Sequence, residues 1–312
     1  MIVYRELPSL AYDLGFSVKT LYAVSRNIPK HYHPVKIPKG NGEYRSLSVP
    51  DPLLKSIQTQ IYEQILGRER ISHYASAYRP GGSTKRNAYP HVGQPVVLKL
   101  DIRKFFDNAM YPLVKEKSFP GGRFSEPIRI LLTMLCTYKD ALPQGAPTSP
   151  VISNLIMRDF DDTVGSWCKK RGIRYTRYCD DMTFSGDFEA RPVTEFVSSE
   201  LRKMGFFLNH NKTVTAHKGQ RQTVTGLVVN EKLSVPKAYK RKLKQEIYYC
   251  RKYGVESHLA RKGVAMPAER YLAVLSGRLN YILSIEPDNA FAKESMAILQ
   301  GLDKSPNKTE YE

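Results

Sequence analysis

Two adjacent aspartates between strand-like segments are the residues of this chain best suited to do chemistry. Asp180 and Asp181 connect residues 174–178 to residues 182–185, and both segments are rich in β-branched and aromatic residues. This pattern predicts a hairpin that presents two carboxylates at its turn. Because carboxylates held this close repel each other unless a cation lies between them, the turn predicts a divalent metal site.

A second pair, Asp161-Asp162, shows why an Asp-Asp dipeptide alone is weak support. It lies in a stretch of helical periodicity, where a solvated helix face is the simpler interpretation. A third carboxylate favours the metal site at the hairpin. Residues 95–102 predict a strand with apolar side chains on one face and Asp101 at the end of the other. Asp107 is assigned no metal role and is predicted to cap the next helix.

The composition favours a soluble globular protein with a polyanionic partner. The chain has 312 residues, 41% of them hydrophobic, which allows two or three packed subdomains. Its 48 Lys and Arg against 30 Asp and Glu give a net charge of +18, which indicates nucleic acid as the partner. The four cysteines lack zinc-ligand spacing, and no leader or membrane-spanning run is evident. We therefore expect a cytoplasmic protein with reduced thiols and no membrane contact.

Predicted helices surround the acidic strands. Apolar residues recur at helical spacing over residues 50–66, 192–204 and 268–285, and the second of these helices is expected to cover the sheet that carries the acids. The segment 237–253 predicts a helix in which cations alternate with tyrosines. A solvated face is the usual outcome for such a run, but the net charge favours contact with a nucleic-acid backbone. The cations chosen for that contact are Lys237, Lys240, Arg241, Lys244 and Arg251.

Two glycine-containing segments are candidates for phosphate contact. Residues 32–49 predict a basic hairpin around a Gly40-Asn41-Gly42 turn, and a phosphate-binding hairpin and a solvated one are equally good interpretations. Its projecting cations are Lys36, Lys39 and Arg45. Residues 78–91 form a Gly-rich loop with three cations that could cradle phosphates, although His91 by itself is more typical of a structural histidine.

The segment 142–150 contains Pro-Gln-Gly followed by small residues and leads into a predicted helix. Small residues at a helix entrance allow a flat ligand and its phosphates to approach closely. A connector without a ligand is the alternative.

Three of these motifs jointly resemble the palm motifs of reverse transcriptases. Residues 98–102, 142–145 and 178–181 match that family in order and in spacing. The resemblance implies an α+β fold of the right-hand polymerase type. The expected domains are an N-terminal helix and fingers over residues 1–95 and a palm over 96–235, with an interleaved fingers segment at about 110–141. A basic, RNA-binding thumb over 236–300 and a disordered tail over 301–312 are expected to follow.

Within that family the chain resembles bacterial retron reverse transcriptases. Residues 87–91 and 224–226 are similar to two motifs typical of retrons, and the similarity extends over roughly 17–285. Cys179 stands where the commonest retron form has alanine. No RNase H domain is evident after the thumb region.

The resemblance also implies roles for individual residues. The catalytic residues are Asp101, Asp180 and Asp181, which with Ile102 are assigned to a site for two Mg²⁺ ions; oxygen ligands suit this hard ion. The implied chemistry is attack of a primer hydroxyl on the α-phosphate of a deoxynucleotide. The nucleotide-binding residues are Arg45, Phe106, Gln144, Gly145 and Lys212, with Phe106 excluding a ribose 2′-OH. Asn87 and His91 are assigned to RNA binding together with the basic helix.

The retron resemblance implies specific partners. They are a cognate structured RNA (msr-msd), deoxynucleotides, the branched msDNA product primed from a guanosine 2′-OH, an effector protein that acts in defence against phage, and a host RNase H. Another bacterial reverse transcriptase, of the group II intron or diversity-generating type, is the main alternative. A catalytically silent RNA-binding scaffold is disfavoured by the three intact aspartates, and a metal-dependent nuclease by the Pro-Gln-Gly loop.

Overall fold

The structure, a computed structural model, describes residues 3–38 and 42–303. Its internal contacts define two compact units, one formed by residues up to 83 together with 95–216, and the other by 84–94 together with the residues from 217 onward. The second unit therefore takes residues from the predicted fingers and palm regions. The assignment of fingers, palm and thumb remains a prediction.

Runs of helices and short strands are interspersed along the chain, and the fold class is α+β. The helices are α1 (Leu7–Leu14), α2 (Val18–Arg26), α3 (Pro52–Gln64), α4 (Thr84–Ala88), α5 (Phe105–Asn108), α6 (Tyr111–Ser118), α7 (Glu126–Cys136), α8 (Ser149–Lys169), α9 (Ala190–Lys203), α10 (Lys237–Tyr253), α11 (Val255–Lys262), α12 (Ala268–Ile285) and α13 (Ala290–Asp303). The strands are β1 (Tyr32–Pro38), β2 (Tyr44–Pro50), β3 (Val96–Asp101), β4 (Arg174–Tyr178), β5 (Asp181–Gly186), β6 (Val214–His217), β7 (Thr223–Val224) and β8 (Leu227–Val228).

A four-stranded sheet with the order β4-β5-β3-β6 lies in the first unit. Strand β5 is antiparallel to both β3 and β4, so the predicted hairpin and the predicted Asp101 strand are confirmed. Nearly every side chain of β3 is buried because α8 and α9 contribute to the same hydrophobic core. This core fixes the register of the sheet, since a slip of one residue would turn buried side chains outward.

Helix α3 shows how local sequence sets these elements. The Asp51 carboxylate caps it by accepting a hydrogen bond from the Leu54 amide at 2.8 Å. The predicted apolar face is largely confirmed by burial of Ile57 and Ile61, whereas Leu53 is 40% exposed. The predicted helices over 192–204, 237–253 and 268–285 are confirmed as α9, α10 and α12.

Strands β1 and β2 form the predicted basic hairpin, paired from Tyr32 with Pro50 to Pro38 with Tyr44. Lys39 and the predicted turn residues Gly40 and Asn41 lie outside the described residues.

In the second unit, the two retron-like segments pack against each other. Helix α4 contacts the β7–β8 hairpin, the Thr225 hydroxyl donates a hydrogen bond to the Thr84 carbonyl (3.2 Å), and the Gly93 amide donates one to the Val229 carbonyl (2.9 Å). Thr225 and Gly226 connect the two strands with φ angles of 45° and 82°, as a tight hairpin of this kind requires.

Helix α13 extends into the segment that was predicted to be a disordered tail. Residues 301–303 are helical, and residues 304–312 lie outside the described part of the chain. Over residues 3–38 and 42–303, none of the helices combines the length and the apolar character needed to cross a bilayer.

Candidate active site

The turn between β4 and β5 brings two predicted catalytic aspartates to the end of the sheet. Cys179 and Asp180 form the connection, and Cys179 has a φ of 61°, which is uncommon for a residue other than glycine. The Ile102 amide donates a hydrogen bond to the Asp180 carbonyl at 3.1 Å. This hydrogen bond fixes the turn to the residue that follows β3.

Asp101 and Asp181 lie opposite each other on the neighbouring strands β3 and β5. They are direct partners in the antiparallel register of β3 and β5, and Cβ atoms at such positions are about 4.5–5.5 Å apart. Partial desolvation, followed by the charges of Asp180 and Asp101, raises the pKa of Asp181 to about 6. The three acids thus form one electrostatic group whose negative charges are incompletely offset.

The carboxylate of Asp101 has two partners from the chain that precedes β6. The Lys212 ammonium lies 2.7 Å from Oδ1, and the Asn209 amide donates a hydrogen bond to Oδ2 at 3.2 Å. The bond with Asp101 is the main reason that the pKa of Lys212 is raised. The predicted nucleotide contact of Lys212 stays a prediction, whereas sequence analysis missed the role of Asn209 in orienting Asp101.

The donor set fits a hard divalent cation, although the carboxylates are not arranged as ligands. Within residues 3–38 and 42–303, no three His, Cys, Asp or Glu side chains form a group that could hold a metal ion. Carboxylate oxygens are nevertheless the donors that Mg²⁺ prefers. Partial desolvation and the neighbouring negative charges raise the pKa of Asp181, and a bound cation would offset the repulsion between these charges. Lys212 is bonded to Oδ1 of Asp101, so a cation at that oxygen would compete with the ammonium for the same carboxylate.

The Pro-Gln-Gly loop is held against strand β2. The Ser48 amide donates a hydrogen bond to the Gln144 carbonyl at 2.8 Å, and the Ser149 hydroxyl donates one to the Pro143 carbonyl at 2.7 Å. Gly145 has a φ of 130°, and a Cβ there would lie 2.6 Å from the Ser48 carbonyl oxygen. Glycine is therefore required both by the backbone conformation and by the close approach of β2.

Two further predicted nucleotide contacts lie on neighbouring elements. Arg45 is an exposed residue of β2, the strand that holds the loop. Phe106 is half-buried in α5 and makes an edge contact with Phe105, with ring centroids 5.5 Å apart. Asp107 does not cap this helix as predicted, because Lys104 holds the N-cap position and Asp107 is an exposed residue inside the helix.

Sequence analysis missed a buried ion pair beneath the turn. Asp161 is 0% exposed, so the prediction of a solvated face is wrong for this residue. Its oxygens accept hydrogen bonds from Arg177 Nε at 2.8 Å and Nη2 at 2.6 Å, and from the Tyr175 hydroxyl at 2.8 Å. Burial acts to lower the pKa of Arg177, but the Asp161 charge outweighs it and raises that pKa. Asp162, its neighbour, is partly exposed and pairs with Arg70.

A signal for this pair was present in the strand pattern. Tyr175 and Arg177 lie on the same side of β4, because alternate residues share a face. A cation on the buried face of a strand requires a buried anion. The partner could not be identified from sequence, since α8 meets β4 only in the folded chain.

The residues predicted to bind RNA lie in the second unit, but not all at its surface. Asn87 and His91 are 0% exposed, so their burial argues against the predicted direct contact with RNA. The Lys240 ammonium lies 2.9 Å from both carboxylate oxygens of Glu286, so its predicted contact with RNA stays a prediction for a side chain that is already paired. The remaining predicted cations are exposed: Lys237, Arg241, Lys244 and Arg251.

Comparison with known proteins places these features in a family context. The sequence family described as reverse transcriptase (RNA-dependent DNA polymerase) matches residues 37–232. The retron Mx65 reverse transcriptase of Myxococcus xanthus is 30% identical, over 92% of this chain and 70% of its own length. The retron Ec86 reverse transcriptase of Escherichia coli is 28% identical, over 82% of each chain. Among solved structures, a foamy viral protease-reverse transcriptase in complex with double-stranded DNA aligns with a TM-score of 0.47 and 13% identity, over 98% of this chain and 50% of that chain.

Proposed function

This chain belongs to the reverse transcriptase family, as a bacterial retron type, and we propose that Asp101, Asp180 and Asp181 form its polymerase site. The protein is an RNA-directed DNA polymerase with a right-hand polymerase fold. The observation that carries the proposed site is the register of β3 and β5, which sets Asp101 opposite Asp181 while Asp180 lies in the adjoining turn.

Divalent metal dependence is general in this family, and two Mg²⁺ ions are the proposed cofactors. The chemistry that these ions supply when bound is a lower pKa for the primer hydroxyl and stabilisation of the departing oxygens. The carboxylates of Asp101, Asp180 and Asp181 would hold them, with Ile102 beside them. Lys212 lies 2.7 Å from Asp101 in the structure and would release that carboxylate when the site is loaded.

Other residues of the first unit would bind and orient the deoxynucleotide. Gln144 and Gly145 form a loop held rigidly on β2, and Arg45 on the same strand supplies a cation for the triphosphate. The half-buried ring of Phe106 would exclude the 2′-OH of a ribonucleotide. Rigid positioning of this kind is a major source of rate enhancement in phosphoryl transfer.

Replacement of Gly145 by alanine tests the loop. We expect the rate of incorporation at low deoxynucleotide concentration to fall about 10- to 100-fold, because the new Cβ would displace the loop from Ser48. Steady-state kinetics with a single deoxynucleotide measures this change. Gly122→Ala is the matched control, since nothing lies within 4 Å of a Cβ at that glycine. Equal kinetics for the two variants would remove the loop from the nucleotide pocket.

Phe106→Ala is expected to admit ribonucleotides. Loss of the ring would open space for the 2′-OH, so the ratio of kcat/KM for a deoxynucleotide to that for its ribonucleotide should fall about 10- to 200-fold. Competition between the two nucleotides on one template gives this ratio directly. Phe188→Ala removes another half-buried phenylalanine of the first unit and should leave the ratio unchanged. Unaltered discrimination in Phe106→Ala would assign the selection to another residue.

The proposed template is a cognate structured RNA of the msr-msd type. Synthesis would begin from the 2′-OH of a guanosine in that RNA and give branched msDNA, with template RNA removed by a host RNase H. A role in defence against phage together with an effector protein follows from the same proposal. The similarity of most of the chain to retron reverse transcriptases supports the retron type, and the exposed cations of α10 support binding of RNA.

Neutralising the exposed cations of α10 is expected to weaken RNA binding. In the Lys237→Gln/Arg241→Gln/Lys244→Gln/Arg251→Gln variant, the slope of log Kd against log salt should decrease by about 3, since each phosphate contact contributes roughly 0.7–0.9. Filter binding of the co-purified RNA at several salt concentrations measures it.

A matched variant separates position from net charge. Lys169, Lys170, Arg202 and Lys203 are exposed cations of the first unit, and their replacement by glutamine removes the same four charges. If both variants lose the same slope, overall charge rather than α10 determines RNA affinity.

The retron proposal is tested by the nucleic acid that the protein carries. The protein would be purified from its native host, and the bound nucleic acid would be sequenced with and without debranching, using Asp180→Ala as the inactive control. A single RNA joined through a 2′ linkage to a short DNA, absent from the control, is the expected result. Diverse RNAs without branched DNA, despite primer extension in vitro, would identify an intron or diversity-generating type instead.

A further inference from the structure

Arg177 connects the interior of the first unit to the turn that carries the acids. Its side chain is 0% exposed, although it belongs to the strand that ends one residue before Cys179. Its Nη1 atom donates a hydrogen bond to the Cys179 carbonyl at 2.8 Å. The guanidinium therefore holds the peptide that immediately precedes Asp180.

Helix α8 holds this guanidinium from the other side. Asp161 accepts hydrogen bonds from two of its nitrogens, and the Asn154 side-chain oxygen accepts one from Nη2 at 3.1 Å. Asn154 and Asp161 lie seven residues apart, on the same face of a helix. With its partners on α8 and at Cys179, the planar fork of Arg177 has a single orientation.

The backbone of the turn needs such support. Cys179 has a φ of 61°, a conformation that non-glycine residues keep only where surrounding contacts over-determine it. Its carbonyl is held by Arg177, and its Sγ atom lies 3.3 Å from the Tyr78 hydroxyl. Without the guanidinium, the Cys179 backbone would relax from its strained conformation. This relaxation would displace Asp180, the next residue.

We propose that Arg177, fixed by Asp161, is a positioning residue that sets the placement of Asp180 and thereby the rate of phosphoryl transfer. This inference rests on the proposed polymerase site. It assigns to the buried pair a function beyond stability: the pair controls kcat through the Cys179 carbonyl, while nucleotide affinity depends on other residues. A displacement of about 1 Å at a reacting group can lower a rate by about 100-fold.

Two variants separate positioning from stability. Arg177→Met/Asp161→Leu replaces both charges by apolar groups, a change that buried ion pairs often tolerate without loss of stability. Arg177→Lys keeps a cation opposite Asp161 but removes the planar fork that reaches both Asp161 and the Cys179 carbonyl. Tyr175→Phe is the control, because it deletes one hydrogen bond to Asp161 and leaves every contact of Arg177 in place.

The experiment measures folding and single-nucleotide kinetics on the full chain. Urea unfolding is followed through Trp167, the chain's single tryptophan, which lies on α8. For the folded variants we expect kcat to fall about 10- to 100-fold, with KM for the deoxynucleotide changed less than about threefold. The control should keep both constants.

Two outcomes would overturn the inference. One is a folded variant with the kcat of the wild type, and the other is that neither variant folds, which would restrict the pair to a stabilising role. A wild-type protein without Mg²⁺-dependent DNA synthesis would instead refute the proposed function itself, so the two failures are distinguishable.

Discussion

The Asp180→Asn variant should synthesise DNA at least about 10³-fold more slowly than the wild type, which corresponds to roughly 4 kcal/mol of lost transition-state stabilisation. The substitution keeps the size of the side chain and the backbone bond between Asp180 and Ile102, so the turn itself should persist. What it removes is one of the negative charges proposed to hold the metal ions. The measurement is Mg²⁺-dependent incorporation of deoxynucleotides on a primed RNA template.

A control for general effects of charge is available on α5. Asp107 is exposed and follows Asp101 by six residues, but it lies in a helix and has no proposed contact with metal or nucleotide. Asp107→Asn should retain the wild-type rate within about twofold, as is usual for surface substitutions. If Asp180→Asn were as active as Asp107→Asn, the proposed polymerase site would have to be abandoned.

The three aspartates could be predicted from sequence because each is marked by its local context. Asp101 ends an apolar strand, and Asp180 and Asp181 occupy a hairpin turn, so strand periodicity alone fixes where these side chains emerge. The antiparallel register then brings Asp101 opposite Asp181. Local pattern thus predicts which residues come together when they lie at the ends of neighbouring strands.

The partners of these residues could not be predicted, because they depend on contacts between segments distant in sequence. Lys212 reaches Asp101 across 111 positions of the chain.

Asn87 and His91 were assigned to RNA by motif, yet the β7–β8 hairpin packs on α4 and both side chains are buried. A short motif reports that residues are constrained, but it does not distinguish constraint by packing from constraint by a ligand.

The adjacent residues Asp161 and Asp162 have the same local sequence context but different partners in the fold, and the second large effect is expected at Asp161. Asp161→Ala should lower the free energy of unfolding of the first unit by about 3–5 kcal/mol, because the buried Arg177 would be left without its counter-charge. Arg177 has no exposure to solvent, so water cannot replace the lost carboxylate. Urea denaturation followed through Trp167 fluorescence measures the change.

Asp162→Ala is the matched control, one residue further along the same helix. Asp162 pairs with Arg70 at 2.5 Å and accepts a hydrogen bond from Ser72 at 2.7 Å, but the side chains of the pair are 33% and 68% exposed. Exposed ion pairs contribute about 0–1 kcal/mol, so this variant should lose no more than that. A loss of only about 0–1 kcal/mol in Asp161→Ala as well would mean that Arg177 finds another partner when Asp161 is absent. A large difference would show that the same dipeptide contains one structural ion-pair partner and one ordinary surface acid, a distinction made by α8 packing on β4.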